Sequence, residues 1–375
     1  MMDTRRCGEP CASGLHVDGL SEGWLVRMGL PGGRRVTIAD VARAGGVSRT
    51  TVSHALNGLG RVDPGTRERV RRVAEELGYR PNLRAQRLRR GQSRTIGLVS
   101  SMPYAVAAAG PARLGFYMEV AAAAAETALN AGFALVLAPP LESGLSLDSL
   151  DIDGAIVVEP EQDDGVTRRL AERGLAVVTL GPQLGTDFAH VDLGGAAVGE
   201  VLLGHLYAQG ARNIALLLGD CRRHSYVSLQ SAYAQFAAER GMPSVVVAVP
   251  EAGGEDSGHA GGVRLLAEHP EVDAVCAAVD AFAVGCVRAL GAAGRRVPDD
   301  VLVATRYDGL LARTCDPPLT AVNLHLSEVA EAAVEMMLAQ LGAEPGNDPM
   351  RVPPPELVPR RSSQRTVQTP TAVRP

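Results

Sequence analysis

Two short amphipathic helices joined by a glycine turn are predicted between residues 37 and 57. Apolar residues recur there at positions i, i+3 and i+4, a spacing that places them on one face of a helix. They are Ile38, Val41 and Ala42 in the first helix and Val52, Ala55 and Leu56 in the second. Thr37 and Ser48 are the expected N-caps, with Asp40 as the capping-box partner of Thr37. Gly45 and Gly46 end the first helix, because a tight turn needs the backbone freedom of glycine.

Hydrogen-bonding side chains occupy the outward positions of the second predicted helix. These positions are Arg49, Thr50, Ser53, His54 and Asn57. A short helix with an apolar back and a polar, partly basic front fits the major groove of double-stranded DNA. The same pattern also describes two ordinary surface helices with a solvated face. The choice between a helix-turn-helix and this alternative depends on the residues that follow.

A third helix and a strong positive charge favour the helix-turn-helix interpretation. Asp63 and Pro64 are the expected N-cap and first residue of the third helix, and Gly78 is its expected stop. Its inward residues are Val70, Val73, Ala74 and Leu77. Residues 34–94 contain 15 arginines and five acidic residues, a net charge of +10, whereas residues 95–375 carry −14. A basic block joined to an acidic remainder is typical of a nucleic-acid-binding head.

Residues 36–99 resemble the DNA-binding head and hinge of the lactose/galactose/purine repressor family. The matching stretches are residues 37–42, 46–48, 51–57, 62, 66–67, 77–82, 85 and 88. The resemblance implies that certain side chains of the second helix contact bases and that others hold phosphates. The implied base-reading residues are Arg49, Thr50 and His54, and the implied phosphate-binding residues are Ser48, Thr51, Ser53 and Asn57.

The resemblance also implies a hinge helix that folds on DNA. This helix would place Asn82, Ala85 and Leu88 at the minor groove, with Leu88 inserted between base pairs. Such an apolar wedge unstacks and kinks the duplex. The alternative for Leu88 is a linker leucine that packs on its own domain.

Beyond residue 94, short strands rich in Val, Ile and Leu alternate with helices, which predicts parallel sheets with right-handed crossovers. The predicted strands are residues 95–100, 134–138, 154–158, 176–180, 213–218, 244–249, 274–278 and 301–305. The predicted helices are residues 116–131, 166–173, 194–210, 231–240, 261–268 and 280–291. The expected fold is therefore an all-α helix-turn-helix head joined to a two-lobed α/β core with parallel sheets, similar to periplasmic binding proteins.

The expected domain boundaries follow from these patterns. They are a disordered extension over residues 1–35, the helix-turn-helix domain over 36–81, the hinge helix over 82–93, the core over 94–344 and a C-terminal strand and tail over 345–375. Within the core, one lobe comprises residues 94–192 and 324–341, and the other comprises residues 193–323.

The core resembles the effector domain of the same repressor family. Matching stretches are residues 205–206, 210–219, 277–285, 297–301, 307–308, 317–320, 356–358 and 360–363. By position, the resemblance implies that Phe116 and Tyr117 stack on an effector in the cleft, and that Asp280 and Asp308 bind it. The alternatives are core packing for the two aromatic residues and a structural cap for Asp308.

Three positions depart from the family pattern. Leu229 stands where the family usually has an effector-clamping arginine, Val279 precedes Asp280 where many sugar-responsive members have Asn, and Arg306 replaces a glycine. A site without the family's arginine and asparagine side chains would leave sugar hydroxyls unpaired. The effector is then less polar, or is held by other groups such as Arg222 or Arg223, or is absent.

Composition and motifs disfavour other classes of protein. The six cysteines form no Cys-x-x-Cys pair, so neither a metal site, a disulfide nor a cofactor is expected. Gly-x-Ser-x-Gly and phosphate-loop motifs are lacking, which disfavours an enzyme. A solute-binding protein would not need the basic head. No run approaches about 18 apolar residues, so neither a membrane span nor a membrane partner is expected. The scattered cysteines fit a reducing cytoplasm, where we expect the protein.

The sequence therefore predicts a homodimeric transcriptional regulator that binds a palindromic DNA operator and responds to a small-molecule effector. Repression is the expected outcome of DNA binding. Whether the effector acts as an inducer or a co-repressor stays open.

Overall fold

The computed structural model describes residues 36–58, 60–80, 92–101, 115–138, 147–343 and 351–365. The predicted extension over residues 1–35, the hinge residues Asn82, Ala85 and Leu88, and the end of the tail lie outside the described residues. The chain divides into two compact units, Met1–Gln86 and Arg87–Pro375.

In the described part of the first unit, three helices surround a small apolar core. They are α1 (Ile38–Gly45), α2 (Arg49–Asn57) and α3 (Pro64–Glu76). Val41, Val52 and Val70, one from each helix, are fully buried. The predicted cap of α3 is confirmed, because Asp63 Oδ2 accepts the Thr66 N–H at 2.9 Å. Leu77 was predicted to point inward but is 39% exposed, since α3 ends one residue before it.

Over its described residues, the second unit begins with strands and helices that alternate. They are β1 (Thr95–Ser100), α4 (Gly115–Asn130), β2 (Ala134–Ala138), β3 (Gly154–Val158), α5 (Gly165–Glu172), β4 (Ala176–Leu180), β5 (Ala189–Val191) and α6 (Gly195–Ala208). The unit continues with β6 (Ile214–Gly219), α7 (His224–Arg240), β7 (Val245–Val249), α8 (Glu255–Glu268), β8 (Ala274–Ala277), α9 (Asp280–Ala292), β9 (Leu302–Thr305), α10 (Leu310–Thr314), β10 (Ala321–Asn323), α11 (Leu326–Gln340) and β11 (Glu356–Val358).

Two parallel sheets form the centre of this unit. The five-stranded sheet has the order β2-β1-β3-β4-β5, and the four-stranded sheet has the order β7-β6-β8-β9. We call the first sheet with α4, α5 and α11 the N-lobe, and the second sheet with α6 to α10 the C-lobe. Strands β1, β3, β6, β8 and β9 are buried along their whole length, as continuous Val, Ile and Leu runs covered on both faces require. The predicted fold class is confirmed, whereas the predicted domain boundaries stay predictions.

Some helices are longer than the sequence indicated. Helix α8 begins at Glu255 rather than at residue 261. A glycine content as high as that of this stretch is typical of a loop. Here the glycines instead allow α8 and α9 to approach each other closely. A Cβ atom on Gly258 would collide with the backbone of Phe282, and one on Gly285 would collide with the backbone of Glu255. Helix α7 likewise begins at His224, seven residues before the predicted start.

None of the helices in the described ranges combines the length and apolar character that crossing a lipid bilayer requires.

Candidate functional site

The turn between α1 and α2 has the geometry that the sequence predicted. The backbone N–H and the hydroxyl of Thr37 both donate to Asp40 Oδ2, at 2.9 and 2.7 Å. Gly46 adopts a left-handed conformation with φ of +64°. Ser48 Oγ accepts the Thr51 N–H at 3.0 Å and so caps the start of α2. The caps and the turn together fix the angle at which α2 leaves α1.

The outward face of α2 is partly as expected. Arg49 and Thr50 are exposed, and His54 is half-buried. Ser48 Oγ and Thr51 Oγ1 lie 2.8 Å apart in a hydrogen bond, and Asn57 Nδ2 donates to the Ser53 carbonyl oxygen at 2.7 Å.

The predicted outward position of Ser53 is wrong, because this residue is only 7% exposed. It lies about 60° around the helix from Leu56, at the edge of the apolar stripe. Its small side chain is therefore covered by the core of the first unit, which leaves it poorly placed for contact with a phosphate.

A cavity of about 100 Å³ lies between the N-lobe and the C-lobe. It is bordered by the carboxyl ends of β1, β3, β8 and β9, the place where parallel α/β sheets bind ligands. N-lobe residues that line it are Ser100, Gly115, Phe116, Tyr117, Val158 and Glu159. C-lobe residues that line it are Arg223, Tyr226, Glu251, Gly254, Ala278, Val279, Asp280, Ala281, Phe282, Arg306 and Tyr307.

The structure brings Phe116, Tyr117 and Asp280 together at this cavity. The Phe116 ring meets the Tyr307 ring edge to face, with centroids 5.2 Å apart. Tyr117 is 4% exposed, and its hydroxyl donates to the Leu98 carbonyl oxygen at 2.6 Å. Its hydroxyl is therefore committed to the N-lobe backbone, and only the ring is available to a ligand.

Asp308 does not line the cavity. Its carboxylate forms ion pairs with Arg360, at 2.6 Å, and with Arg313, at 3.3 Å. Burial alone would raise the pKa of Asp308, but hydrogen bonds and charges from these two arginines hold it below its ordinary value. These contacts fit the structural alternative better than an effector contact, and the effector role stays a prediction.

Asp280 is the first residue of α9 and is 9% exposed. Its Oδ1 accepts the Ala281 N–H at 2.9 Å. Burial raises the pKa of Asp280 to about 6, and this effect outweighs the lowering by the Ala281 N–H and the nearby Arg306 charge. The cavity wall therefore contains a carboxyl group that is protonated more readily than an ordinary aspartic acid.

Two buried arginines connect the lobes across the cavity. Arg306 donates two hydrogen bonds to the Glu159 carboxylate, at 2.8 and 3.0 Å. Arg223 donates to both oxygens of Glu251, at 2.9 and 2.7 Å, and to Ser101 Oγ in the N-lobe, also at 2.9 Å. Although Glu251 is buried, these bonds from Arg223 keep its pKa below the ordinary value.

Sequence reasoning missed several of these residues. Glu159 directly follows β3, and the rule that polar groups gather at the carboxyl ends of parallel strands could have found it. Arg306 was noted as a departure from the family and Arg223 as an alternative ligand group, but their partners could not be named. Glu251 follows β7 and could have been found by the same rule. Tyr226 carries no comparable signal, because its position depends on how α7 packs after the turn at Arg223.

Glu161, Cys221 and Glu251 bring potential metal-ligating atoms within 4.8 Å of one another. Arg223 already lies 3.3 Å from Glu161 Oε1 and 2.7 Å from Glu251 Oε2. Burial is the main cause of a raised pKa for the Cys221 thiol, which disfavours the thiolate that a metal needs. This arrangement is therefore an ion-pair network centred on Arg223.

Both units match known families. Residues 37–82 match the model of bacterial regulatory proteins of the lacI family, and residues 203–363 match the periplasmic-binding-protein-like domain. The HTH-type transcriptional regulator CelR of Thermobifida fusca is 32% identical over 330 residues, which cover 85% of this chain and 95% of CelR.

Two solved structures extend the comparison. A CelR–cellobiose complex has a TM-score of 0.62 and 30% identity, covering 88% of this chain and 100% of that one. A lac repressor dimer bound to operator and the anti-inducer ONPF has a TM-score of 0.69 and 25% identity, covering 88% of this chain and 99% of that one. These matches confirm the prediction of a regulator rather than an enzyme. The chain belongs to the lacI family of bacterial regulatory proteins and is a DNA-binding transcriptional regulator with a periplasmic-binding-protein-like effector domain.

Proposed function

We propose that this regulator represses transcription by binding a palindromic operator as a homodimer, through α2. The observation that carries the proposal is the capped, basic N-terminal end of α2, where Arg49 and Thr50 are exposed. A recognition helix contacts base edges with its N-terminal residues. Arg49, Thr50 and His54 are the proposed base-reading residues, and Ser48, Thr51 and Asn57 the proposed phosphate contacts.

The hinge is the second proposed DNA contact. Asn82, Ala85 and Leu88 lie outside the described residues, and their assignment rests on the sequence resemblance. Insertion of Leu88 between base pairs would bend the operator. Leu88→Ala should therefore lower both operator affinity and DNA bending, and bending can be measured by energy transfer between the ends of a labelled duplex.

The homodimer is supported by exposed apolar side chains on the N-lobe. Met118 and Leu129 on α4 are 45% and 65% exposed, and Leu137 on the edge strand β2 is 43% exposed. Large exposed apolar residues on neighbouring elements are typical of an interface. The lac repressor structure that this chain resembles is a dimer on its operator. Two heads on a twofold axis would match the symmetry of a palindrome.

The cavity between the lobes is the proposed effector site. Phe116 and the ring of Tyr117 offer apolar surface, and Asp280 offers a hydrogen-bond acceptor. An effector acts on DNA binding only if it binds two conformations of the protein with different affinity.

His54→Ala tests the base-reading role. It should reduce the preference for operator over random duplex by about tenfold, because one good base contact accounts for about 1–3 kcal/mol of discrimination. Fluorescence anisotropy measures both affinities at two salt concentrations. The operator probe is DNA from the region upstream of the gene that encodes this protein, and the comparison probe is random duplex. Arg264→Ala on the C-lobe helix α8 is the control and should leave both unchanged. A His54→Ala protein with full operator preference would show that His54 does not read a base.

A further inference from the structure

Glu159 and Arg306 form a bidentate ion pair between the lobes. Glu159 follows β3 in the N-lobe, and Arg306 follows β9 in the C-lobe. Their side chains are 17% and 5% exposed. Two parallel N–H···O bonds to a carboxylate are a strong and directional arrangement. The pair lies on the wall of the cavity, so the chain's own carboxylate occupies a position that a ligand could take.

Arg223 provides the second connection between the lobes. It donates to the Glu159 carbonyl oxygen and to Ser101 Oγ in the N-lobe, while Glu251 holds it in the C-lobe. Tyr226 in turn donates to Glu251 Oε1 at 2.7 Å. Arg223 is therefore fully engaged, and its charge is matched by Glu251 whether or not Glu159 stays in place.

Arg306 is in a different situation. It is 4% exposed, Glu159 is its ion-pair partner, and its Nε has no hydrogen-bond partner among the described residues. A neutral ligand that displaced Glu159 would remove the ion-pair partner of this buried guanidinium and replace it with no charge, which carries a large penalty. A ligand oxyanion would restore the charge balance and could also accept a bond from Nε. The cavity of about 100 Å³ is smaller than the roughly 150 Å³ that accommodates benzene, so a ligand of one ring or more requires the lobes to move apart.

Building on the proposed effector site, we propose that Glu159 competes internally for Arg306, and that the effector is a compact molecule whose carboxylate or phosphate group replaces the Glu159 carboxylate. Arg306 then has a counter-ion with the ligand bound, as it has with Glu159 in place. Because Glu159 and Arg306 belong to opposite lobes, this replacement breaks a direct connection between them. The ligand consequently favours a different arrangement of the lobes, which is the differential affinity that regulation requires.

The proposal predicts that substitutions of Glu159 and of Arg306 have opposite effects on the affinity for an anionic ligand. Isothermal titration calorimetry on the full chain would use glucose 6-phosphate, inorganic phosphate and, as the neutral control, glucose. Glu159→Gln removes the competing charge and should tighten binding of both phosphate probes by about tenfold, whereas Arg306→Met should weaken it by about tenfold. Glucose binding should change in neither variant. Glu159→Asn serves as a second variant, because Asn tolerates the left-handed backbone at this position, where φ is +45°.

An ion pair with a purely structural role would give losses in both variants. That result overturns the proposal. The proposal is also overturned if Glu159→Gln and Glu159→Asn change the affinity for the phosphate probes and the affinity for glucose to the same extent. Operator anisotropy on the same wild-type sample separates the two proposals. If operator binding is normal while the phosphate tests fail, the effector inference alone is wrong; if the operator is not bound at all, the proposed function fails.

Discussion

Asp280 is a residue of the proposed effector site whose burial has a cost in stability. It begins α9 at the cavity wall, and burial raises its pKa to about 6 from an ordinary value of 3.8. The folded protein therefore holds a proton on Asp280 at pH values where the unfolded chain has lost it. Stability should increase as the pH falls from about 7 towards 4, and the penalty of the ionised form above pH 6 amounts to about 3 kcal/mol at most. Arg306 and Glu255 are the neighbouring charges that modify this value.

Asp280→Asn should remove that pH dependence. We expect the variant to be more stable than the wild type by about 1–3 kcal/mol at pH 8, with the difference vanishing near pH 4, because the amide stays neutral throughout. Urea unfolding at pH 4, 6 and 8 measures the effect. A difference between the two proteins that is the same at all three pH values would contradict the assignment of the titration to Asp280.

Elements were predictable where a single local pattern decides the structure. The strands at residues 134–138, 154–158 and 176–180 were predicted at their observed bounds, because continuous apolar runs between turn residues identify strands of a parallel sheet. Strand β5 and helix α11 were missed. Strand β5 has only three residues and pairs along one side with β4, so its extended form depends on its neighbour. Helix α11 packs against α4, a partner far away in the sequence.

The candidate site divides in the same way. The caps, the turn and the exposed basic end of α2 are local and followed from the sequence. The ion pairs of the cleft are not local, because Glu159 and Arg306 are 147 residues apart. Ser53 is intermediate between the local and the non-local features. Helical spacing places it at the boundary of the buried stripe, and only the packing of α2 against the other helices determines that its side chain is buried.

Tyr233 connects α7 with the neighbouring C-lobe strands. Its hydroxyl donates to the Ile214 carbonyl oxygen at 2.7 Å and accepts the Val245 N–H at 2.8 Å. Tyr233→Phe should lower the free energy of unfolding by about 1–3 kcal/mol, because it leaves buried backbone groups of β6 and β7 unpaired. Tyr207→Phe, on the partly exposed face of α6, is the matched control and should change stability by less than about 0.5 kcal/mol. Equal unfolding midpoints for the two variants would contradict this role.

At the scale of the whole molecule, the proposed interface should depend on the apolar surface of α4 and β2. Leu129→Asp should weaken dimerisation by at least about tenfold, since a charge would be buried opposite the partner's apolar residues. Val263→Asp, at a residue of α8 that is 50% exposed, is the control and should leave the dimer intact. Sedimentation velocity over a range of concentrations distinguishes monomer from dimer. A Leu129→Asp protein that sediments like the wild type would exclude this face as the interface.

The central claim is that this chain recognises a twofold-symmetric DNA sequence through α2. Selection of duplexes from a random pool by the purified full-length protein tests it most directly. We predict that repeated selection enriches one palindrome, and that the same selection with His54→Ala loses base preference at equivalent positions of both half-sites. A pool that stays random after selection with the wild-type protein, at salt low enough for non-specific binding to be measured, would contradict this prediction.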